Sequence, residues 1–273
     1  MEGPVVTNSA ERSEKFDRYE RQVVYPAFGE QGQEGLDSGH ALICGSGALG
    51  SVQAAMLVRA GVGRIRIVDR DVIELVNLQR QILFTEEDVK ARSPKAEVAA
   101  KRLRLANSEV EIEPIVANID HTNIESFCTD VDVVLDGTDN FETRFLINDV
   151  SFKHKIPWIY GGCLGAEGQT MTILPGETAC FRCLIPESPL KGKTSENLTA
   201  GIFGPAVGII ASLQAMEAIK ILSGHSEAIS RMLTVVDLWQ SSIRQFDVSK
   251  LRDRIDCPTC RHGRLEWLEE ATS

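Results

Sequence analysis

A glycine-rich turn is the feature that most constrains how this chain can fold. The segment GSGALG (45–50) has the spacing Gly-x-Gly-x-x-Gly, follows the apolar run ALICG (41–45) and precedes a helical pattern that ends near Ala60. Glycines at this spacing permit a tight turn and let backbone N–H groups approach a phosphate at the positively polarised end of a helix. The pattern predicts a nucleotide-binding unit, with a plain strand-to-helix turn as the alternative. The expected binding glycines are Gly45, Gly47 and Gly50.

Strand-like and helix-like segments alternate along the rest of the chain. The segments predicted as strands are RIRIVD (64–69), EIEPIV (111–116), VDVVLD (131–136), PWIYGG (157–162), EGQTMTIL (167–174) and RMLTVVDL (231–238). The segments predicted as helices are 94–105, 140–153 and 205–222. This alternation predicts an α/β fold with a Rossmann-like, doubly wound and mostly parallel sheet, extended by antiparallel strands.

Composition limits the class of protein. The chain has 273 residues and a formal net charge of −10 at pH 7, and this acidity disfavours general binding to nucleic acid. Residues 1–16 are expected to form a flexible tail and residues 17–273 a single domain. The N-terminus lacks an apolar signal segment, and the apolar stretch 204–223 is interrupted by Glu217 and Lys220. We therefore expect a cytoplasmic protein with a buried core helix and no membrane span.

Charged residues after the glycine turn indicate the kind of nucleotide. Asp69 ends the second predicted strand, where an acid can accept hydrogen bonds from ribose hydroxyls. NAD is the default ligand of the glycine motif. However, Arg80 and Lys95 follow in NLQRQ (77–81) and SPK (93–95), and a triphosphate needs such fixed cations. The alternative is that both are ordinary surface charges.

Two aspartates lie at and just after the end of the strand predicted over 131–136. Asp136 ends that strand and Asp139 comes one short turn later, where a carboxylate near a triphosphate can hold Mg²⁺. The alternative role for Asp139 is to cap the helix that begins near Asn140. Ligands of open α/β sheets bind beyond the carboxyl ends of the strands, so groups at these ends should share one crevice. The groups concerned are Gly45, Asp69, Asp136 and the Gly161-Gly162 pair.

Four of the seven cysteines form two Cys-x-x-Cys pairs, CFRC (180–183) and CPTC (257–260). Two such pairs suit a structural, tetrahedral four-cysteine zinc site that would fasten the end of the chain to the α/β body. A redox dithiol is the alternative for either pair alone. The expected zinc ligands are Cys180, Cys183, Cys257 and Cys260. Cys163, which follows the Gly-Gly pair, is a candidate reactive thiol.

In combination and in order, these segments resemble the ThiF/MoeB/HesA branch of the ubiquitin-activating-enzyme superfamily over roughly residues 17–260. The segments that carry the resemblance are RYERQ (18–22), GSGALG, VDRDVIELVNLQRQ (68–81), PK (94–95), DGTDN (136–140), the paired cysteines and SLQAMEAIK (212–220). The resemblance implies an adenylyltransferase that uses Mg-ATP to activate the C-terminal glycine of a small ubiquitin-like protein. In the bacterial branch this protein is typically a sulfur carrier for molybdopterin or thiamin synthesis.

The resemblance also implies roles for individual residues. The expected ATP-binding side chains are Asp69 at the ribose, Asn77, Arg80 and Lys95 at the phosphates, and Gln81 close by without a defined role. Asp139 would coordinate Mg²⁺. The chain would form a homodimer, and Arg21 would reach the ATP of the partner subunit as an arginine finger. The segment 184–204 would form a crossover loop over the substrate tail.

One segment departs from the family pattern. KGKTSENLTAG (191–201) lacks the cysteine that several relatives carry in the crossover loop, and Asn197 falls near its expected place. Since the chain ends at Ser273, no fused sulfurtransferase domain is expected. We expect adenylation without a stable enzyme-linked thioester, with sulfur coming from a separate donor, although a step on Cys163 stays open. The alternatives are adenylation of a tRNA-base carboxylate or a peptide, a non-catalytic nucleotide-binding scaffold, and an NAD-dependent redox enzyme.

Overall fold

The computed structural model describes residues 14–187 and 201–269. Within them, one sheet contains eight strands in the order β3-β2-β1-β4-β5-β6-β7-β8. The strands are β1 His40–Cys44, β2 Arg64–Val68, β3 Glu111–Ile115, β4 Val133–Asp136, β5 Trp158–Leu164, β6 Glu167–Ile173, β7 Met232–Asp237 and β8 Ser242–Asp247. The α-helices are α1 Glu20–Val23, α2 Gly29–Ser38, α3 Ala48–Ala60, α4 Glu86–Ala91, α5 Lys95–Ala106, α6 Ile124–Phe127, α7 Phe141–His154, α8 Phe181–Leu184, α9 Gly204–Leu222, α10 Leu251–Arg254 and α11 Glu266–Glu269. Short 3-10 helices cover Glu14–Tyr19, Leu75–Asn77 and Ser226–Ala228.

The sheet changes from parallel to antiparallel at β5. Strands β3, β2, β1, β4 and β5 pair in parallel, and β5 to β8 pair as an antiparallel meander. Every residue of β1 and β4 is buried, as expected for central strands with helices on both faces. The predicted Rossmann-like sheet with an antiparallel extension is therefore confirmed.

Helices α3 and α9 pack together on one face of the sheet. Ala54 and Leu57 of α3 share a core cluster with Ala215 and Ala218 of α9. Among the described residues, α9 is the one helix long and apolar enough to cross a membrane. Its inner side is buried between α3 and the strands β5 and β6, so it is the core helix that the sequence predicts.

The opposite face carries α7 and the C-terminal elements. Phe145 of α7 packs edge-on against Phe181, with ring centroids 5.2 Å apart, and stacks on Trp267 at 4.9 Å. These aromatic contacts join three distant parts of the chain into one core.

Some element boundaries differ from the prediction. β5 continues to Leu164, so Gly161-Gly162 lie inside a strand rather than at its end. The reason is that β5 leaves β4 after Ile159 and continues in a hairpin with β6. Residues 1–13 of the expected tail and 188–200 of the expected crossover loop lie outside the described residues. Residues 14–16 belong to the first 3-10 helix, where Phe16 is buried.

Candidate functional site

The glycine turn lies between β1 and α3, at the carboxyl edge of the parallel strands. Gly45 has a φ of +96°, a conformation that L-residues rarely adopt. A Cβ on Gly50 would lie 1.8 Å from the Gly45 carbonyl oxygen, so α3 starts in direct contact with the turn. At Gly47, the nearest atom to an added Cβ would be Gln81 Nε2 at 3.8 Å. Packing therefore explains the glycine at 50 but not the glycine at 47, where an added Cβ would make only ordinary van der Waals contacts with Gln81 and Gly137.

The first turn of α3 has unsatisfied hydrogen-bonding groups. No described side chain caps this 13-residue helix, which starts after Gly47. The buried Ser46 Oγ and Gln81 Oε1 also have no hydrogen-bond partner among the described residues. Uncapped amides at the positive end of a helix attract anions, and buried polar atoms without partners are uncommon in folded proteins. This donor and acceptor set fits the phosphates and hydroxyls of a nucleotide.

Asp69 is held against the glycine turn. Its Oδ2 accepts a hydrogen bond from the Ser46 N–H at 2.7 Å, and its Oδ1 accepts one from the Asp71 N–H at 2.8 Å. Burial raises the pKa of Asp69, and these backbone donors act in the opposite direction. Each carboxylate oxygen can still accept a second hydrogen bond, so the group remains able to bind a ribose hydroxyl.

Two further segments bring the expected phosphate-binding residues to the same edge. Asn77 and Gln81 are buried, and Arg80 is half-buried, with its Nη1 donating to a main-chain carbonyl 2.9 Å away. Lys95 is buried at the start of α5, and its Nζ lies 3.0 Å from Asp71 Oδ2. Asp71 in turn donates its N–H to Asp69 Oδ1 at 2.8 Å, so Lys95 is linked through Asp71 to the carboxylate at the glycine turn.

The turn after β4 contacts the glycine turn. A Cβ on Gly137 would lie 2.6 Å from the Gly45 carbonyl oxygen. Asp139 is exposed on this turn. The cap of α7 is Asn140, whose side chain accepts a hydrogen bond from the Thr143 N–H at 2.8 Å. Helix capping therefore does not account for the carboxylate at 139.

Asp136 does not face the crevice, contrary to the sequence prediction. It is fully buried, and its Oδ2 pairs with Arg144 Nε at 2.9 Å. Its Oδ1 accepts hydrogen bonds from the N–H and the hydroxyl of Thr138, at 2.9 and 2.7 Å. The sequence reasoning missed Arg144. The available signal was an arginine between Phe141 and Phe145 on a predicted helix, because a buried arginine requires a carboxylate partner.

Arg21 lies far from the crevice of its own chain. It is exposed on α1, and the neighbouring Gln22 donates through Nε2 to the Ala60 carbonyl at 3.1 Å. Ala60 ends α3, whose other end forms the glycine turn, and a helix of 13 residues is about 20 Å long. The structure therefore does not bring Arg21 together with the other predicted site residues within one chain.

The four paired cysteines converge in a separate cluster. Their Sγ atoms lie within 4.8 Å of one another, with separations of 3.9 Å for Cys180–Cys183, 3.6 Å for Cys180–Cys257 and 3.7 Å for Cys183–Cys260. A tetrahedron with zinc–sulfur bonds of about 2.3 Å has sulfur–sulfur edges of about 3.8 Å. Hydrogen bonds from the other pair lower the pKa of Cys257 and Cys260. Both the geometry and the thiol set fit zinc.

The remaining cysteines are buried or half-buried. Cys44 and Cys128 belong to the apolar core, in agreement with a packing role. Cys163 packs beside the cluster formed by Leu49, Val207 and Ile210. Burial raises the pKa of the Cys163 thiol to about 12, so this cysteine is a neutral thiol at physiological pH.

Comparisons with known proteins identify the family of this chain. The model of the ThiF family matches residues 19–259. The chain belongs to the ThiF family. The matched residues include the glycine turn, the segment 77–81, the turn after β4 and three of the four paired cysteines, and the match ends one residue before Cys260.

Similar proteins span most of this ThiF-family chain. The sulfur carrier protein ThiS adenylyltransferase of Bacillus subtilis is 43% identical over 89% of this chain and 71% of its own. The SAMP-activating enzyme E1 of Haloferax volcanii is 37% identical over 94% of this chain and 93% of its own. A crystal structure of Escherichia coli MccB with ATP has a TM-score of 0.73 and 25% identity, and it covers 89% of this chain and 73% of that one.

Proposed function

We propose that this chain is an ATP-dependent adenylyltransferase that activates the C-terminal glycine carboxylate of a small ubiquitin-like sulfur-carrier protein. The products are an acyl-adenylate and pyrophosphate. The observation that carries the proposal is the uncapped start of α3 at Gly47, with Asp69 hydrogen-bonded to the Ser46 N–H and Lys95 paired with Asp71. The names of relatives that are 37–43% identical over most of their length support the same activity and the same kind of substrate.

The proposed reaction depends on charge neutralisation and needs no general base. A glycine carboxylate is ionised at neutral pH, so its oxygen can attack the α-phosphorus of ATP while the bond to the leaving pyrophosphate breaks. The barrier lies in bringing two anions together and in stabilising the departing pyrophosphate. The amides at the start of α3, Arg80 and Lys95 would supply positive charge, with Asn77 and Gln81 completing the phosphate contacts. Asp69 would hold the ribose.

Asp139 is the proposed Mg²⁺ ligand. Its exposed carboxylate lies two residues from Gly137, which contacts the glycine turn. A single carboxylate fits this ion, since Mg²⁺ often takes one or two protein carboxylates and completes its shell with water and phosphate oxygens. When bound, the ion supplies positive charge to the phosphates. The contribution of the chain is to hold the carboxylate at the edge of the crevice.

A zinc ion in the cysteine cluster is proposed to be structural. The four expected ligands form a closed set, so no position remains for a substrate. The cluster joins α8 to the segment before α11 and lies next to Phe181 in the core. Zinc there would fasten the end of the chain to the body of the domain. Its loss is expected to affect stability first and adenylation only as a consequence.

Sulfur transfer is proposed to use a separate donor. The segment 191–201 carries no cysteine, and it lies mostly outside the described residues. The half-buried Cys163 has a raised pKa of about 12 because of its burial, which argues against a persulfide or thioester on it. The proposed product is therefore a carrier acyl-adenylate that a sulfur donor outside this chain attacks.

We further propose that the chain acts as a homodimer through the outer side of α3 and α9. The outer side of these helices and the adjacent turn expose large apolar side chains, 36–67% accessible, which are Met56, Leu75, Val76, Ile82, Ile209, Leu213 and Met216. Met56, Ile82, Ile209 and Leu213 line one shallow apolar groove, and an exposed apolar surface of this kind is typical of an interface. A second copy of this chain is the proposed occupant, because the proposed role of Arg21 at the phosphates requires a partner subunit when Arg21 lies near the far end of α3 in its own.

A two-fold axis across this apolar surface would complete the site. Such an axis places the two copies of α3 antiparallel, so the end near Arg21 of one subunit approaches the glycine turn of the other. Sedimentation is expected to give a dimer, and Ile209→Asp is expected to dissociate it. Mixing Arg21→Ala subunits with Lys95→Ala subunits should restore activity, since each mixed dimer contains one complete site. Failure of every such mixture to complement would contradict an arginine finger in trans.

The proposed activity is tested by ATP–pyrophosphate exchange with small carriers that end in Gly-Gly. Exchange is expected with an intact carrier and not with a carrier that lacks its last glycine. Asp139→Ala should abolish exchange, and the matched control Asp253→Asn, an exposed aspartate on α10, should retain it. Binding of ATP without exchange for any carrier would instead support a non-catalytic scaffold.

A further inference from the structure

A buried polar network lies under the turn that carries Asp139. Strands β4 and β5 pair through only two residue pairs and then diverge. Arg144 spans the gap where they separate. Its Nε contacts Asp136 Oδ2 at 2.9 Å, and its Nη2 donates to the carbonyls of Thr138 at 2.8 Å and Gly161 at 3.1 Å. One guanidinium therefore joins the end of β4, the turn after it and β5.

The Arg144–Asp136 pair is enclosed on all sides. Arg144 is 7% exposed and Asp136 is 0% exposed. The guanidinium lies 5.4 Å from the centroid of the Tyr160 ring and 5.7 Å from that of Phe141. Burial would lower the pKa of Arg144, but the Asp136 carboxylate raises it above its ordinary value, so Arg144 keeps its charge. A pair in such surroundings holds one geometry, because a shift of either partner leaves a buried charge exposed to apolar groups.

Two glutamines support the same strand ends from the opposite face. Gln214 Nε2 donates to the carbonyls of Asp136 and Ile159, both at 3.0 Å, and thus links β4 to β5. Gln53 Nε2 donates to the Asp136 carbonyl at 2.9 Å and to Gln214 Oε1 at 2.7 Å. The end of β4 is therefore fixed from both faces of the sheet.

We infer that Arg144 is a positioning residue that fixes the turn after β4 and so sets the place of the Asp139 carboxylate relative to the glycine turn. The inference rests on the proposed function, in which Asp139 holds Mg²⁺. Thr138, the residue next to Asp139, bonds to both members of the Arg144–Asp136 pair, and the Gly137 N–H donates to the Cys44 carbonyl at 2.9 Å. A carboxylate displaced by about 1 Å would bind its ion less well and align the reactants poorly.

Two variants change the network without removing its charge balance. Arg144→Lys keeps a cation for Asp136, but a single ammonium nitrogen cannot take the places of both Nε at the carboxylate and Nη2 at the two carbonyls. Thr138→Val removes only the hydroxyl hydrogen bond to Asp136. Glu217→Gln is the matched control, because Glu217 is also buried on α9 and accepts hydrogen bonds from Thr172 and the Ser230 N–H, away from the crevice.

The experiment combines hydrogen exchange with Mg²⁺ titration. In the ligand-free protein, amide exchange over 137–140 should accelerate at least about tenfold in Arg144→Lys and less in Thr138→Val, as expected for the opening of a restrained turn. In ATP–pyrophosphate exchange, the Mg²⁺ concentration that gives half the maximal rate should rise at least about fivefold in Arg144→Lys. The KM for ATP at saturating Mg²⁺ should change less than about twofold. Glu217→Gln should change neither quantity.

The outcomes separate the inference from the proposed function. If the wild-type protein catalyses no ATP–pyrophosphate exchange with any carrier, the proposed function is contradicted. Amide hydrogen exchange over 137–140 then still decides whether Arg144 restrains the turn. If the wild-type protein catalyses ATP–pyrophosphate exchange and Arg144→Lys needs the same Mg²⁺ concentration for its half-maximal rate, the inference is overturned and the proposed function is not. If Arg144→Lys does not fold, the test uses Thr138→Val in its place. The inference is then overturned if Thr138→Val needs the same Mg²⁺ concentration for half-maximal rate as the control Glu217→Gln.

Discussion

Gly47 and Gly50 are expected to respond to alanine in opposite ways, and this contrast tests whether the glycine turn is a phosphate site. A Cβ on Gly50 would lie 1.8 Å from the Gly45 carbonyl oxygen, and real Cβ contacts do not fall below 3.0 Å. The start of α3 would have to move by at least 1.2 Å, the difference between these two values. We expect Gly50→Ala to lower the free energy of unfolding by about 3 kcal/mol or more.

Gly47→Ala is expected to fold normally and to bind ATP more weakly than the wild-type protein. The nearest atom to its new Cβ is 3.8 Å away, so the change in unfolding free energy should stay within about 1 kcal/mol. The methyl group would nevertheless occupy the open side of the turn. Loss of one charge-assisted hydrogen bond costs about 1.5–3 kcal/mol, which corresponds to a loss of ATP affinity of about tenfold or more.

The two variants are compared by urea unfolding without ligand and by calorimetric titration with ATP. Adenosine serves as the control ligand, because it lacks phosphates and should bind Gly47→Ala as well as the wild-type protein. ATP affinity in Gly47→Ala equal to that of the wild-type protein would refute the reasoning, since the open side of the turn would then not receive the triphosphate.

Three further changes are expected to separate structural from chemical roles. Gly161→Ala should lower the unfolding free energy in urea by about 1–3 kcal/mol, because its Cβ would lie 2.5 Å from the Gln214 amide. Cys163→Ser should change the rate of pyrophosphate exchange by less than about twofold at pH 7–9, since burial raises the pKa of this thiol to about 12; a loss of activity would mean that the thiol takes part. Cys257→Ser should release zinc, measured by elemental analysis, and lower stability by at least about 3 kcal/mol; a metal-free wild-type protein would contradict the zinc assignment.

The parts of the fold that follow simple periodicity could be predicted from the sequence. Buried parallel strands such as β1 and β4 are short, mostly apolar runs, and α9 has Pro205 in its first turn. The helix α2 was missed because its segment GEQGQEGLDS contains three glycines, which disfavour a helix. In the structure, a Cβ on Gly35 would lie 2.8 Å from the Leu222 carbonyl oxygen, so close packing on α9 explains that glycine.

The site was predictable where a motif fixes the local geometry and not where distant segments meet. The glycine turn, Asp69 and the two cysteine pairs lie as the motifs indicate. Strand β8 was missed because only Ile243 and Phe246 are apolar in it and most of its residues are exposed at the sheet edge. The place of Asp136 depends on its buried partner Arg144, and although the flanking Phe141 and Phe145 indicate that Arg144 is buried, they do not identify which carboxylate it pairs with.

The central claim is that a carrier carboxylate attacks the α-phosphorus of ATP, and oxygen labelling tests it directly. The C-terminal carboxylate of a Gly-Gly carrier is labelled with ¹⁸O, and the activated carrier is cleaved with hydroxylamine after incubation with Mg-ATP. The account predicts that ¹⁸O appears in AMP and is absent from pyrophosphate. Label in pyrophosphate or inorganic phosphate, or AMP without label, would contradict it.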